Sequence, residues 1–262
     1  MSYFVRNQEF AFGIDLSRYN ASADLTQKPD FGLIAAHQPR VSFIAIRSGV
    51  SWGYRDPMFA VFSRQALAIG ACVMPYHVLY PGESALKQMN NFLRILEGID
   101  LDSVRLALDV ELEHGQTRAI ITNTLLSALE LLEQETGRLP IVYSRALWVD
   151  ANLRVADLPR VDWWLAQYYY RRPFPQYTPE YPCPPRLPKG VDQWLIHQTS
   201  ERGPAIGGAG NYMDYDRWNG TEADVLAYFG RAALVNCPLD GAICPVRSAC
   251  SAEAAQCEVV AA

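Results

Sequence analysis

The chain has 262 residues, half of them apolar, which is enough for one large hydrophobic core of the size that α/β barrels reach as single domains. Its 23 Lys and Arg against 28 Asp and Glu leave a net charge of −5, and this argues against nucleic-acid binding. The N-terminus lacks the pattern of a secretory signal peptide, and no segment approaches the ~18 consecutive apolar residues of a membrane span.

The first half of the chain alternates predicted strands with predicted helices. Apolar runs rich in β-branched and aromatic residues predict strands at 12–17, 43–49, 72–79 and 104–111. Helical patterns at 58–70 and 84–97 separate the later ones. Asp56 followed by Pro57 is typical of a helix N-cap with Pro in the first turn, and Gly70 is a natural C-terminal stop.

The second half begins with the clearest helix, residues 118–136, which ends before Gly137. Strands are then predicted at 139–145, 162–169, 193–200 and 212–218, and a helix at 222–229. Seven Pro within residues 171–190 predict a long loop. Uniformly apolar strands alternating with helices indicate a parallel α/β barrel. The later strands lack obvious intervening helices, so we expect an irregular or antiparallel finish.

The barrel is predicted to occupy residues 1–235, and residues 236–262 are predicted to form a small Cys-rich appendage. The chain has six cysteines, of which the first two are isolated and the last four lie in the appendage: Cys72, Cys183, Cys237, Cys244, Cys250 and Cys257. The spacing of the last four is wider than that of zinc-binding pairs, so disulfides are favoured over free thiols, with a metal site the least favoured. The His residues show no metal-ligand spacing, and we expect no metal and no cofactor.

Carboxylates lie at the ends of several predicted strands. Asp15 ends the first, Asp109 and Glu111 end the fourth, and Asp214 and Asp216 lie in the last. Residues i and i+2 of a strand share a face, and the ends of parallel barrel strands open at one mouth. Burial and mutual repulsion should leave one acid protonated near neutral pH, which is what a glycosidase requires. A single Asp-x-Glu would more simply face solvent or cap a helix, but several acidic strand ends favour a site.

Seven blocks of the chain resemble the family 25 glycoside hydrolases, lysozymes that act on peptidoglycan as N-acetylmuramidases. They are GIDLSRYN, FIAIRSG…YRDPMF, ALAIGACVMPYH, LALDVE, PIVYS, WWLAQY and HQTSERGPAIGGAGNYMDYDRWNG, and they span about residues 12–220. The resemblance implies an α/β fold, a modified TIM-like (β/α)5β3 barrel, with five β/α units and then a smaller antiparallel finish.

The resemblance also implies catalytic roles for Asp15, Asp109, Glu111 and Asp214. Glu111 would be the general acid, and Asp109 would be its ionised partner. Asp109 would polarise the 2-acetamido group of the substrate in a reaction with net retention, although a nucleophile or an inverting route is also open. Asp15 and Asp214 would tune this pair and hold sugar hydroxyls.

Seven further residues near the strand ends are candidates for substrate binding: Tyr76, His77, Gln167, Tyr168, His197, Gln198 and Asp216. His197 stands where the family usually has Trp, Asp216 where Asn is common, and Arg47 where Lys is usual. Tyr76 and His77 have an alternative role as a pair that supports the third strand. The aromatic residues that could stack on sugars, although most are expected in the core, are Trp52, Tyr54, Trp163, Trp164, Tyr168 and Tyr169.

The expected function is cleavage of the β-1,4 bond between N-acetylmuramic acid and N-acetylglucosamine in peptidoglycan glycan strands. One alternative is a family 18-like chitinase, which expects a further Asp where this chain has Ala107. Another is a non-enzymatic wall-binding or structural tail component on a retained barrel. We expect a protein made in the cytoplasm that reaches the bacterial wall after lysis or by delivery, as a phage lysin, on a phage tail or as the cargo of an injection machine. No membrane or nucleic-acid partner is expected.

Overall fold

The computed structural model describes residues 10–168, 184–208, 210 and 212–231, with two short strands at 235–236 and 243–244. The strands are β1 (Phe12–Leu16), β2 (Val41–Val50), β3 (Tyr54–Arg55), β4 (Cys72–Val78), β5 (Ala107–Asp109), β6 (Ile141–Ser144), β7 (Trp163–Ala166), β8 (Ile196–Pro204), β9 (Tyr212–Trp218), β10 (Val235–Asn236) and β11 (Ile243–Cys244). Strand β3 forms a hairpin with the end of β2, and β10 pairs with β11 in a separate sheet.

Eight strands close a barrel in the order β1–β2–β4–β5–β6–β7–β8–β9, with β9 returning to β1. All neighbours are parallel except those of β9, which runs antiparallel to both β8 and β1. Five helices follow the first five barrel strands: α1 (Phe31–Ala36), α2 (Phe59–Ala68), α3 (Ala85–Ile95), α4 (Arg118–Thr136) and α5 (Ala146–Asn152). The predicted (β/α)5β3 barrel is confirmed, and only β9 is antiparallel.

Helix α4 shows how local sequence sets the element boundaries. Thr117 is its N-cap, with the side chain accepting a hydrogen bond from the Ile120 N–H at 3.4 Å, and Gly137 ends it in the left-handed conformation at φ 69°. Its buried residues include Ile121, Leu125 and others of the apolar face, so the helix packs inward along one stripe. The structural bounds of α4 and of β9 agree with the predicted ones.

The barrel interior is filled by alternate strand residues, because successive side chains point to opposite faces of the sheet. The buried interior set includes Phe43, Cys72, Met74, Ala107, Ile141, Trp164, Ile196 and Trp218. Gly13 of β1 leaves room for the Phe43 ring, since a Cβ at residue 13 would lie 2.3 Å from that ring. A final helix, α6 (Glu222–Tyr228), covers the floor of the barrel by packing Val225 and the following Phe229 against this set. The carboxyl ends of the parallel strands form the opposite, open end.

Two local predictions differ from the structure. Asp56 does not cap α2, whose N-cap position is Met58. The Asp56 carboxylate instead accepts hydrogen bonds from the Arg18 N–H at 3.0 Å and from Arg47 Nε at 2.9 Å, as well as from the Met58 N–H. Strand β5 is shorter than the predicted 104–111 and ends at Asp109, so Glu111 lies beyond it.

The other differences concern short or later elements. Helices α1 and α5 were not predicted, since 6 and 7 residues give too few turns for a clear period. Residues 169–183, which include Tyr169 and most of the predicted Pro-rich loop at 171–190, lie outside the described residues, as does most of the proposed appendage. No helix in the described part of the chain has the length and apolar character required to cross a bilayer.

Candidate active site

All four predicted catalytic acids lie at the open end of the barrel. Asp15 in β1 pairs directly with Asp214 in the antiparallel β9, and Asp109 ends β5. Glu111 follows Asp109 closely enough for the two carboxyls to interact electrostatically. The buried phenol of Tyr143, which the sequence did not suggest as a site residue, lies within the fields of Asp15, Asp109 and Glu111. The structure therefore places the acids around one cleft.

Three aspartates form a hydrogen-bonded cluster on the β1–β9 side of the mouth. The Asp15 side chain contacts those of both Asp214 and Asp216, and Gln198 Nε2 donates to Asp15 Oδ2 at 2.6 Å. Trp164 Nε1 donates to Asp216 Oδ1 at 2.7 Å. Among the described residues no Lys or Arg forms a salt bridge with this cluster.

Burial raises the pKa of every carboxyl in this cluster. Desolvation and the neighbouring Asp15 raise the pKa of Asp214 to about 9. Desolvation also holds the pKa of Asp15 and that of Asp216 well above their usual range, with charge repulsion inside the cluster adding to it. The cluster therefore retains protons at neutral pH, and these protons make close carboxyl–carboxyl contacts possible.

The second group of acids is the pair formed by Asp109 and Glu111. Desolvation, then repulsion from Glu111, raises the pKa of Asp109, while Arg47 and Arg145 oppose the shift. Asp109 Oδ1 is buried and has no hydrogen-bond partner among the described residues. Desolvation also raises the pKa of Glu111, whose Oε2 lies 3.6 Å from Arg145 Nη2 in a partly exposed contact. Burial thus raises the pKa of five carboxyls in the cleft, not of one as the sequence suggested.

Several predicted substrate-binding side chains lie beside these acids. Tyr76 is buried in the interior set and lies within the fields of Asp15 and Asp109. Gln198 Oε1 accepts hydrogen bonds from Tyr143 Oη at 2.9 Å and from Tyr168 Oη. Because Gln198 also donates to Asp15, it links the aspartate cluster to two phenols and fixes the orientation of all of them. Asp216, as described above, belongs to the cluster itself.

Gln167 lies at the rim, where its Oε1 accepts from the Arg186 N–H at 2.5 Å. The prediction that His77 and His197 bind substrate is not supported by their positions, because both are fully buried on the outer face of the barrel. Each is next to an inward-facing residue, so strand alternation turns its side chain away from the cleft.

The two histidines instead support the loops at the mouth. His77 stacks on Phe92, with ring nitrogens 3.1 Å from Ser48 Oγ and 2.7 Å from the Ser51 carbonyl. His197 Nε2 lies 2.9 Å from the Gln167 carbonyl oxygen. Burial lowers the pKa of His77 to about 4 and that of His197 to about 3, so both rings are neutral at physiological pH.

The sequence reasoning missed the contributions of Tyr143 and Arg145. Tyr143 is the second inward residue of β6, and its position was open to the alternation rule once the strand was assigned. Arg145 follows β6 directly, and nothing in the sequence indicated that it would approach Glu111. Among the described residues, no group of three or more His, Cys, Asp or Glu side chains is arranged to hold a metal ion.

Neighbouring carboxyls at the carboxyl-terminal mouth of a barrel are the arrangement with which glycosidases cleave sugar bonds. The model of glycosyl hydrolases family 25 matches residues 14–208, and the chain belongs to this family. It is therefore a glycoside hydrolase.

Three similar proteins illustrate the relationship. The Escherichia coli O157:H7 protein named "Uncharacterized protein YegX" is 28% identical over 220 residues, which are 82% of this chain and 72% of that protein. The lysozyme of Streptomyces coelicolor has the same fold with a TM-score of 0.64 at 20% identity, over 83% of this chain and 95% of the other. The catalytic domain of endolysin ply40, from bacteriophage P40 of Listeria monocytogenes, gives a TM-score of 0.62 at 14% identity, over 84% and 97% of the two chains.

Proposed function

We propose that this glycoside hydrolase is an N-acetylmuramidase that cleaves the β-1,4 bond between N-acetylmuramic acid and N-acetylglucosamine in peptidoglycan. The observation that carries the proposal is the Asp109–Glu111 pair, in which a partly exposed Glu with a raised pKa stands beside a buried Asp with one unpartnered oxygen. Membership of family 25 and a fold shared with a bacterial lysozyme support the choice of substrate.

Glu111 supplies the proton in this proposal. Its raised pKa keeps the carboxyl protonated to higher pH than an exposed Glu, and its partial exposure lets it reach the glycosidic oxygen. As the proton moves to that oxygen, the bond to the anomeric carbon breaks and positive charge develops at the sugar. Glu111 is then ionised and can remove a proton from the incoming water.

Asp109 acts on the sugar that carries the positive charge. In the proposal, the N–H of the 2-acetamido group donates a hydrogen bond to the carboxylate of Asp109, which ends β5 and keeps a small part of its surface exposed. This contact and the nearby Arg47 both favour the ionised form of Asp109. The acetamido oxygen is then directed at the anomeric carbon, and the reaction proceeds with retention. Asp15 and Asp214 hold sugar hydroxyls from the opposite side of the cleft.

Hydrolysis of purified peptidoglycan by wild type and by Glu111→Gln tests the proposal. We expect the wild type to clear the suspension and to release new muramic acid reducing ends, and the variant to be about 10²- to 10⁴-fold slower. Glu113→Gln is the matched control, because Glu113 is an exposed acid two residues further along the chain. Activity on chitin alone would instead indicate a chitinase. Binding without cleavage from acidic to neutral pH would indicate a wall-binding or structural component.

We further propose that the enzyme reaches the wall as a lysin, either freed at cell lysis or carried by a phage tail or injection machine. The fold that it shares with the phage endolysin ply40 supports this route. An antibody against the protein should detect it either in purified particles or only in the lysate, and this distinguishes the carried form from the free one. Secretion from intact cells in the absence of particles would contradict both forms.

A further inference from the structure

Four aromatic side chains in the described part of the chain are largely exposed, and all four lie around one side of the barrel mouth. Their exposed fractions are 73% for Tyr19, 57% for Trp52, 39% for Tyr54 and 59% for Tyr212. The other exposed large apolar residues in the described ranges are aliphatic and lie on helices: Leu33, Leu86, Ile120 and Leu147. Within these ranges, exposed aromatic rings are therefore confined to the mouth.

These four residues come from strands that are neighbours in the barrel. Tyr19 follows the end of β1, Trp52 lies in the turn between β2 and β3, and Tyr54 lies in β3. Tyr212 begins β9, two residues before Asp214 and on the same face of that strand. Because β9, β1, β2 and β3 are adjacent in this order, the four residues follow one another around this side of the cleft, and we call them the aromatic arc.

Arg47 connects the aromatic arc to the catalytic acids. Its guanidinium carbon lies 5.0 Å from the centre of the Tyr19 ring and 5.9 Å from that of Tyr54. Two contacts of 2.9 Å with Asp56 hold the guanidinium in place. The same charge acts on the carboxyl of Asp109. One fixed side chain, that of Arg47, thus interacts both with two tyrosines of the aromatic arc and with the Asp109 carboxyl.

The two tyrosines are suited to stacking on a sugar. Each ring rests against the fixed Arg47 guanidinium and retains substantial exposure to solvent, so little side-chain freedom is lost when a ligand covers it. A pyranose ring presents a flat face of C–H groups that fits such a surface, while its hydroxyls stay in water. Arg18, 5.3 Å from the Tyr19 ring centre, makes no salt bridge with a described carboxylate and can donate hydrogen bonds to sugar oxygens.

We propose that the aromatic arc, centred on Tyr19 and Tyr54, is a subsite that binds a sugar ring of the glycan strand outside the pair of sugars being cleaved. The inference rests on the proposed function for its substrate class. It assigns to this chain a preference for long glycan strands over short ones, and it places the additional contacts on the β9–β1–β2–β3 side of the mouth.

Binding of peptide-free peptidoglycan glycans of defined length to the Glu111→Gln protein tests this proposal. Calorimetric titration is carried out with the disaccharide that spans the cleaved bond and with a long strand, in the Glu111→Gln background and with Tyr19→Ala or Tyr19→Phe added. We expect Tyr19→Ala to weaken binding of the long strand by about 3- to 10-fold and to leave disaccharide binding unchanged. Tyr19→Phe keeps the ring and should retain the preference. Leu86→Ala, which removes an exposed apolar side chain on α3, is a second control.

The inference is overturned if the Tyr19→Ala, Tyr54→Ala double variant keeps the parent protein's ratio of long-strand to disaccharide affinity, or if that ratio is one in the parent protein. Thermal unfolding of each variant separates loss of the subsite from loss of the fold. Hydrolysis by the wild type is measured independently. Cleavage of peptidoglycan with an unchanged affinity ratio contradicts only the subsite, whereas length-dependent binding without any cleavage contradicts only the proposed reaction.

Discussion

Replacing Asp216 with Asn should make the protein more stable at neutral pH. Asp216 is fully buried, accepts a hydrogen bond from Trp164 and contacts Asp15. An Asn at this position keeps an oxygen for the indole N–H and offers its own N–H₂ group to the Asp15 carboxyl. The hydrogen bonds are conserved, and a buried acid that resists ionisation is removed.

The magnitude follows from proton linkage. The pKa of Asp216 in the folded protein lies well above that of an Asp in the unfolded chain, so the folded state holds a proton that the unfolded state has lost. Its contribution to stability is complete below the unfolded pKa and is lost as the pH rises toward the folded pKa. Each such proton lowers the free energy of unfolding by about 1.4 kcal/mol per pH unit in this window. Each two pH units that separate the folded from the unfolded pKa therefore correspond to about 3 kcal/mol.

Urea denaturation at several pH values measures this difference. The free energy of unfolding of the wild type should fall with rising pH more steeply than that of Asp216→Asn, and the two curves should converge near pH 4. Asp192→Asn is the matched control, because this carboxylate is three-quarters exposed and lies far from the cleft in a surface ion pair. A difference between wild type and Asp216→Asn that does not vary with pH would refute the assignment of a buried, protonated carboxyl.

Two other substitutions test separate parts of the structure. Arg145→Ala should move the alkaline limb of the pH–activity profile to higher pH, because Arg145 lowers the pKa of Glu111 and the general acid must be protonated. Since the guanidinium is more than half exposed, the shift should be modest and should shrink with added salt. Arg145→Lys keeps the charge and should largely restore the profile. An alkaline limb that stays in place at low ionic strength would count against Glu111 as the acid. Gly13→Ala should destabilise the fold by about 1–3 kcal/mol, since its Cβ would meet the Phe43 ring at 2.3 Å. A urea midpoint equal to that of the wild type would mean that the ring moves aside freely.

The sequence was sufficient to predict the barrel strands along the chain and the position of the acids at the mouth of the barrel. The first parallel strands are buried on both faces and therefore read as apolar runs, and the acid that ends such a run marks the mouth. Asp15 and Asp109 were found in this way, whereas Asp214 lies near the start of the antiparallel β9 and was assigned from the family resemblance. The apolar runs did not reveal which of two adjacent polar residues faces inward. Tyr76 and Gln198 point into the cleft, whereas their neighbours His77 and His197 do not.

Long-range contacts account for the remaining differences. Asp56 has the sequence context of a helix cap, but Arg47 and the backbone of Arg18 occupy its carboxylate in the folded chain. Trp164 of β7 and Asp216 of β9 are 52 positions apart, and their hydrogen bond forms only once both strands have paired with β8. Such partners depend on barrel closure, and no local pattern encodes them.

The pairing of β1 with β9, the last barrel strand, has a consequence for biosynthesis. The ribosome releases β1 early, yet one of its two neighbours in the finished barrel is β9, which emerges only after seven other barrel strands. Until then β1 and β8 both keep an unpaired edge, and Asp15 lacks its contact with Asp214. An incomplete nascent chain thus lacks an assembled cleft, so bond cleavage begins only once translation has passed the last barrel strand.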